Sequence, residues 1–75
     1  MAILAFVLIR AKTGRELDIM LELEQMEEVR EAYMIYGGWD VIARVEVESL
    51  PQLDTLVVNI RGLRDVQQTA TLITA

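Results

Sequence analysis

Residues able to do chemistry concentrate in one short stretch, Gly37-Gly38-Trp39-Asp40. Two consecutive glycines leave backbone amides open to close approach, and a run of such amides can receive a carboxylate. Asp40 beside them can hold an ammonium, so the stretch matches the two opposite charges of an α-amino acid. The same residues also suit a tight hairpin in which Asp40 caps the turn and Trp39 packs against the chain, the commoner use of these residues on spacing alone. A second polar pair, Thr69-x-Thr71, puts two hydroxyls on one face of a strand. They can contact a small ligand, or serve simply as β-branched strand formers.

No comparable set supports catalysis. The chain has no histidine and no cysteine, which removes the usual general bases, thiol nucleophiles and thiolate metal ligands. Ser49 reads as a helix cap, and no glycine-rich phosphate loop occurs. Glu16, Asp18, Glu22, Glu24, Glu27 and Glu28 read as a solvated helix face rather than a metal site. The expectation is therefore binding without catalysis, with no metal and no cofactor.

The elements that must position these residues follow from hydrophobic periodicity. Met1 to Ile9 is a strand apolar on both faces, Ile3, Ala5, Val7 and Ile9 against Leu4, Phe6 and Leu8, and so should be central. Thr13-Gly-Arg-Glu16 is a T-x-x-E capping box opening a helix to about Met26. Its core stripe is Ile19, Leu23 and Met26, and Leu17 and Leu21 point elsewhere, available to another chain. Val29 to Tyr36 and Val41 to Glu48 are strands joined by the Gly37-Gly38 hairpin. Ser49-Leu-Pro-Gln52 caps a second helix with the stripe Leu53, Leu56, Val57 and Ile60, ended by Gly62 in a left-handed conformation. Val66 to Thr74 is the last strand.

The order β-α-β-β-α-β is the ferredoxin-like pattern of the α+β class: a four-stranded antiparallel sheet with two helices on one face. The other face is expected to carry Tyr33, Ile35 and Ile73 with the polar residues Arg44, Glu46, Thr69 and Thr71 among them. A dry centre with a polar rim has the anatomy of a subunit interface, which predicts a sheet-to-sheet dimer.

Composition agrees. At 75 residues the chain is one domain, 1–75, and a domain this small buries only about 60% of its unfolded surface. Without disulfides or a metal, oligomerisation is the remaining staple. The hydrophobic fraction of 53% is high for so small a domain, which again suggests apolar surface meeting another chain. The net charge of −5 lacks the basic footprint of a nucleic-acid binder. The longest apolar run is half of what a membrane span needs and has neither flank of a signal peptide, so a cytoplasmic location is the default and no membrane partner is expected.

These residues together resemble a family. The apolar first strand, Gly14-Arg-Glu16, Glu28-Val29, Tyr33, Gly37-x-Trp39-Asp40, the valine-rich third strand and Thr69-x-Thr71-Leu-Ile look like the effector-binding domain of the Lrp/AsnC transcription regulators, the RAM domain, over essentially the whole chain. With nothing before Met1, the resemblance is to stand-alone members that lack the DNA-binding helix-turn-helix. It implies a homo-oligomer in which two sheets pack face to face and dimers assemble further, commonly as a ring of four. It also implies an amino-acid effector bound between dimers at Gly37, Gly38, Trp39 and Asp40, with Thr69 and Thr71 from a neighbour, and a full-length Lrp/AsnC regulator as a further partner. Tyr36 departs from the family pattern, where a small hydroxylated residue often stands. Two other readings of the same element order are a small cofactor-free oxygenase-type enzyme, which needs a polar pocket between helices and sheet, and an ACT-like regulatory domain.

Overall fold

The computed structural model describes residues 2–75. Its elements are β1 (Ile3–Ala11), α1 (Glu16–Glu24), β2 (Val29–Met34), β3 (Val41–Val47), α2 (Leu50–Arg61) and β4 (Val66–Ile73), in the expected βαββαβ order. The strands form one antiparallel sheet in the order β2-β3-β1-β4. The apolar first strand is thus central. It reaches two residues further than Ile9, and its expected start at Met1 lies outside the described residues.

Alternation along the central strands sets the two faces. Ala5, Val7 and Ile9 of β1 and Val41, Ala43 and Val45 of β3 are fully buried, in one cluster with Ile19 and Leu23 of α1 and Leu53, Leu56 and Ile60 of α2. Both helices therefore cover the same face. On the open face Leu4, Phe6, Leu8 and Ile42 are half-buried, and Leu72 and Tyr33 remain 56% and 54% exposed. That face is apolar at Leu4, Phe6 and Leu8 of β1, Ile42 of β3 and Ala70 and Leu72 of β4, and charged at Glu31 of β2 and Arg44 and Glu46 of β3. The Arg44 Nε donates to Glu31 Oε1 at 2.6 Å, its Nη1 donates to Glu46 Oε1 at 2.9 Å, and the Tyr33 hydroxyl donates to Glu31 Oε2 at 3.0 Å. The Arg44 bond, the Tyr33 bond and the Arg44 charge together hold the Glu31 carboxyl below its ordinary range.

Two bulges correct the expected facing of the edge strands, since an extra residue reverses the alternation beyond it. In β2, Val29 opposes Val45 while Glu31 opposes Arg44, leaving Arg30 extra. Val29 therefore packs towards the core and Tyr33, opposite Ile42, lies on the open face. In β4, Val66 opposes Ala11 and Gln68 opposes Arg10, leaving Gln67 extra. Thr69, Thr71 and Ile73 then oppose Ile9, Val7 and Ala5 and share their helix-facing side. They do not join Arg44 and Glu46 on the open face, where Gln68, Ala70 and Leu72 stand instead.

The helix ends differ from expectation in detail. α1 begins at Glu16 with Arg15 in the cap position and no side-chain cap. Of the T-x-x-E box only the glutamate acts, its oxygens accepting from the Gly14 N–H at 2.9 and 3.0 Å, in a turn where Gly14 has φ +87°. The helix stops at Glu24 rather than Met26. α2 keeps its box: Ser49 Oγ accepts from the Gln52 N–H, and Gln52 Oε1 accepts from the Glu48 N–H. Gly62 ends α2 with φ −81°, right-handed. The left-handed residue of that loop is Asp65, φ +74°, whose carboxylate accepts from Arg15 Nε.

Candidate functional site

The sheet order carries the connection between β2 and β3 to the corner of the molecule where β1 finishes. β2 and β3 part after the pair Met34–Val41, and residues 35–40 connect them. The connection is closed at its base by the Ile35 N–H donating to the Asp40 carbonyl at 2.9 Å, and it is tied to the neighbouring strand by the Asp40 N–H donating to the Ile9 carbonyl at 2.9 Å. It is longer than a two-residue hairpin, and Gly37 turns it with φ +122°, a conformation that L side chains rarely adopt. A Cβ at Gly38 would meet nothing within 4 Å, so the approach to this residue is open.

Asp40 serves the fold as well as the corner. β1 runs past the end of β3, which leaves the Ala11 N–H without a strand partner. Asp40 Oδ2 accepts from it at 2.8 Å. The turn-capping use of Asp40 is thus realised in part, with its other oxygen left over. The N–H groups of Gly37, Gly38 and Trp39 have no partner among the described residues. Three consecutive amides without a partner thus stand in the same connection as a carboxylate with one uncommitted oxygen, groups that can donate to an anion and accept from a cation.

Arg10 completes the corner, and sequence reasoning passed it over. Its Nη2 and Nε donate to the Gly38 carbonyl at 2.6 and 3.2 Å, and its Nη1 donates to Gln68 Oε1 at 3.0 Å. Its guanidinium carbon lies 5.0 Å from the Trp39 ring centroid, within cation–π range. Residues 10, 38 and 68 are far apart in the chain, and only the pairing of β1 with both β3 and β4 brings them together. The available signal was that Arg10 is the first charge after the apolar run.

Of the predicted site residues, Gly37, Gly38, Trp39 and Asp40 are therefore contiguous at this corner, and Trp39 is half-buried. Thr69 and Thr71 are not with them in the same protomer. Their register turns them to the helix side, and Thr71 lines a shallow groove with Leu50, Leu53, Asp54, Val57 and Ile73. Tyr36, whose bulk departs from the family pattern, is fully exposed and fills no space in its own chain. Between the helices and the sheet the core is apolar, with no buried polar or charged side chain among the described residues. None of the described helices is long and apolar enough to cross a membrane.

Comparison with known proteins places this architecture. HTH-type transcriptional regulator FL11 of Pyrococcus abyssi is 28% identical over 72 residues, covering 96% of this chain and 48% of the regulator. The chain thus spans about half the length of the curated relatives it matches. The crystal structure of FFRP-DM1 superposes with a TM-score of 0.94 at 38% identity, covering 97% of this chain and 99% of that one. Escherichia coli AsnC superposes with a TM-score of 0.90 at 28% identity, covering 96% of this chain and 50% of that one. The model of the Lrp/AsnC ligand binding domain matches residues 4–75. With that match running over nearly its whole length, on the same ferredoxin-like sheet, the chain belongs to the Lrp/AsnC ligand-binding-domain family.

Proposed function

We propose that the chain is an amino-acid-sensing, oligomer-forming regulatory module that neither catalyses a reaction nor binds DNA itself. The observation that carries this reading is the corner at residues 37–40: three free amides in sequence, an aspartate with one oxygen uncommitted, and an approach open at Gly38. In this scheme the amides receive the effector carboxylate and Asp40 its ammonium, and Trp39 shields the bonds from water. The hydroxyls of Thr69 and Thr71 face away from the corner of their own protomer, so they would serve the corner of an adjoining one. That is the arrangement expected if dimers meet there.

The half-apolar open sheet face supports the dimer. Leu4, Phe6, Leu8, Ile42 and Leu72 are the surface a second sheet would cover, with the Glu31–Arg44–Glu46 network at one side. The apolar filling between helices and sheet favours binding over an enzyme, because an oxygenase-type pocket needs space and polar groups there. An effector-dependent assembly of this kind would modulate a full-length Lrp/AsnC regulator in the cytoplasm by forming mixed oligomers with it, and the helix-turn-helix regulators among the relatives are the class of partner this requires. The test is titration calorimetry of the native oligomer with the common amino acids, alongside its native mass. Saturable binding by a multimer supports the reading. No binding at millimolar concentration, or a monomer at micromolar concentration, refutes the sensing or the assembly half respectively.

A further inference from the structure

Arg10 is exposed and lies on the open-face side of β1, yet it contacts the connection between two other strands. Three of its five N–H donors are committed. Two converge on one acceptor, the Gly38 carbonyl, and one reaches Gln68 on β4. The planar group lies against the Trp39 ring. A guanidinium is suited to this because its donors form a rigid fork and its face stacks on aromatics, whereas an ammonium is a point charge on a flexible stem.

Pinning this carbonyl has a consequence one bond along. The peptide from Gly38 to Trp39 is trans, and in a planar trans peptide the C=O and the following N–H point in opposite directions. Holding the Gly38 oxygen against Arg10 therefore turns the Trp39 N–H away from Arg10, where no acceptor among the described residues meets it. Gly38 itself exerts little steric control over this plane, since it has no side chain and no neighbour within 4 Å of the Cβ position. Without an external restraint the plane is free to rotate.

We infer that Arg10 is a positioning residue of the effector site: by clamping the Gly38 carbonyl and stacking on Trp39 it fixes the orientation in which the Trp39 amide faces the ligand. Gln68 backs the clamp by anchoring the guanidinium to β4. Arg10 acts through the hairpin and not as a charge for the ligand's carboxylate. The binding half of this inference rests on the amino-acid reading above, whereas the clamp itself can be read without a ligand.

The experiment uses the native oligomer of the wild type and of Arg10→Gln, Arg10→Lys and Arg64→Gln. The last removes the same charge at an exposed position that makes no hydrogen bond to Arg10, Gly38 or Gln68 among the described residues. The chain has a single tryptophan, so acrylamide quenching of its emission reports Trp39 alone, and the Trp39 amide nitrogen–proton signal reports the peptide plane. In the absence of ligand, both Arg10 variants should raise the quenching and shift that signal, with Arg64→Gln unchanged. For whichever amino acid the wild type binds, both Arg10 variants should weaken binding by about tenfold, the equivalent of one charge-assisted hydrogen bond. Full binding by Arg10→Lys alongside weak binding by Arg10→Gln would show that charge suffices and overturns the clamp. Unchanged Trp39 signals overturn it too, as does wild-type affinity in both variants, and neither result touches the amino-acid reading. If the wild type binds no amino acid, that reading fails, and the Trp39 signals alone still decide whether Arg10 orders the hairpin.

Discussion

Substitution of Asp40 separates its structural work from its proposed ligand work. Asp40 Oδ2 is the acceptor for the Ala11 N–H at 2.8 Å, and Ala11 is 5% exposed, so water has poor access to a replacement bond. Asp40→Ala strands that donor, at a cost of about 1–3 kcal/mol for a buried unpaired group. In a domain of this size each kcal/mol lowers the melting temperature by roughly 4–8 °C, so the expected fall is roughly 5–20 °C. Asp40→Asn retains a side-chain oxygen to accept from Ala11 and loses only the charge assistance, less than about 1 kcal/mol. The ligand ordering should be different, because an ammonium prefers a carboxylate to an amide. Asp40→Asn is expected to weaken amino-acid binding by roughly ten- to a hundredfold while the protein melts close to wild type. Calorimetric melting at one fixed protomer concentration, needed because assembly makes the transition concentration-dependent, gives the first number, and titration gives the second. Hydrogen exchange at the Ala11 amide should be protected in wild type and Asp40→Asn and fast in Asp40→Ala. An Asp40→Ala protein that melts with wild type refutes the anchoring role. Undiminished amino-acid binding by Asp40→Asn shows that the ammonium is held elsewhere.

Phe6→Asp puts a charge in the centre of the open sheet face and should convert the oligomer to monomers in sedimentation equilibrium, since an unpaired buried charge costs several kcal/mol. The chain alone, with net charge −5, should not retard duplex DNA at physiological salt, because phosphate contact depends on clustered lysine and arginine. The Glu31 carboxyl is held below its ordinary range first by its bond from Arg44 and then by that from Tyr33. A depressed carboxyl stabilises the fold above its unfolded value and loses that contribution as pH falls through its folded value. Denaturant midpoints should therefore drop more steeply below about pH 4 in wild type than in Glu31→Gln, and identical profiles would count against the network. Ile60→Ala, at a fully buried core position, should cost about 2–5 kcal/mol, measured as a shift in urea midpoint without a change in slope.

Much of the fold was legible because its signals are local. The doubly apolar run at residues 3–9 could only be a central strand, and the valine alternation of β3 could only face one way. The Ser49–Gln52 box marked the start of α2 correctly. The Thr13–Glu16 box marked α1 only approximately, because Glu16 found the Gly14 amide and Thr13 was left outside the helix. The corner at residues 37–40 was also legible, as glycines beside an aromatic residue and an acid.

What the sequence determined by itself was the βαββαβ order, the helix-covered face of the central strands and the placing of Gly37, Gly38, Trp39 and Asp40 in the one connection between β2 and β3. Periodicity and neighbouring turn residues encode all three within a few positions of each other. Tertiary structure alone decided the facing of Thr69, Thr71 and Ile73, because the extra residue Gln67 is an ordinary strand residue whose effect exists only in the pairing with β1. It alone also decided the double duty of Asp40 and the clamp of Arg10. Those contacts join residues 28 and 29 positions apart, and they arise because the sheet order lays the end of β1 beside the connection that follows β2. No spacing rule reaches across such an interval; the hydrogen-bond demands of a strand that outruns its neighbour do.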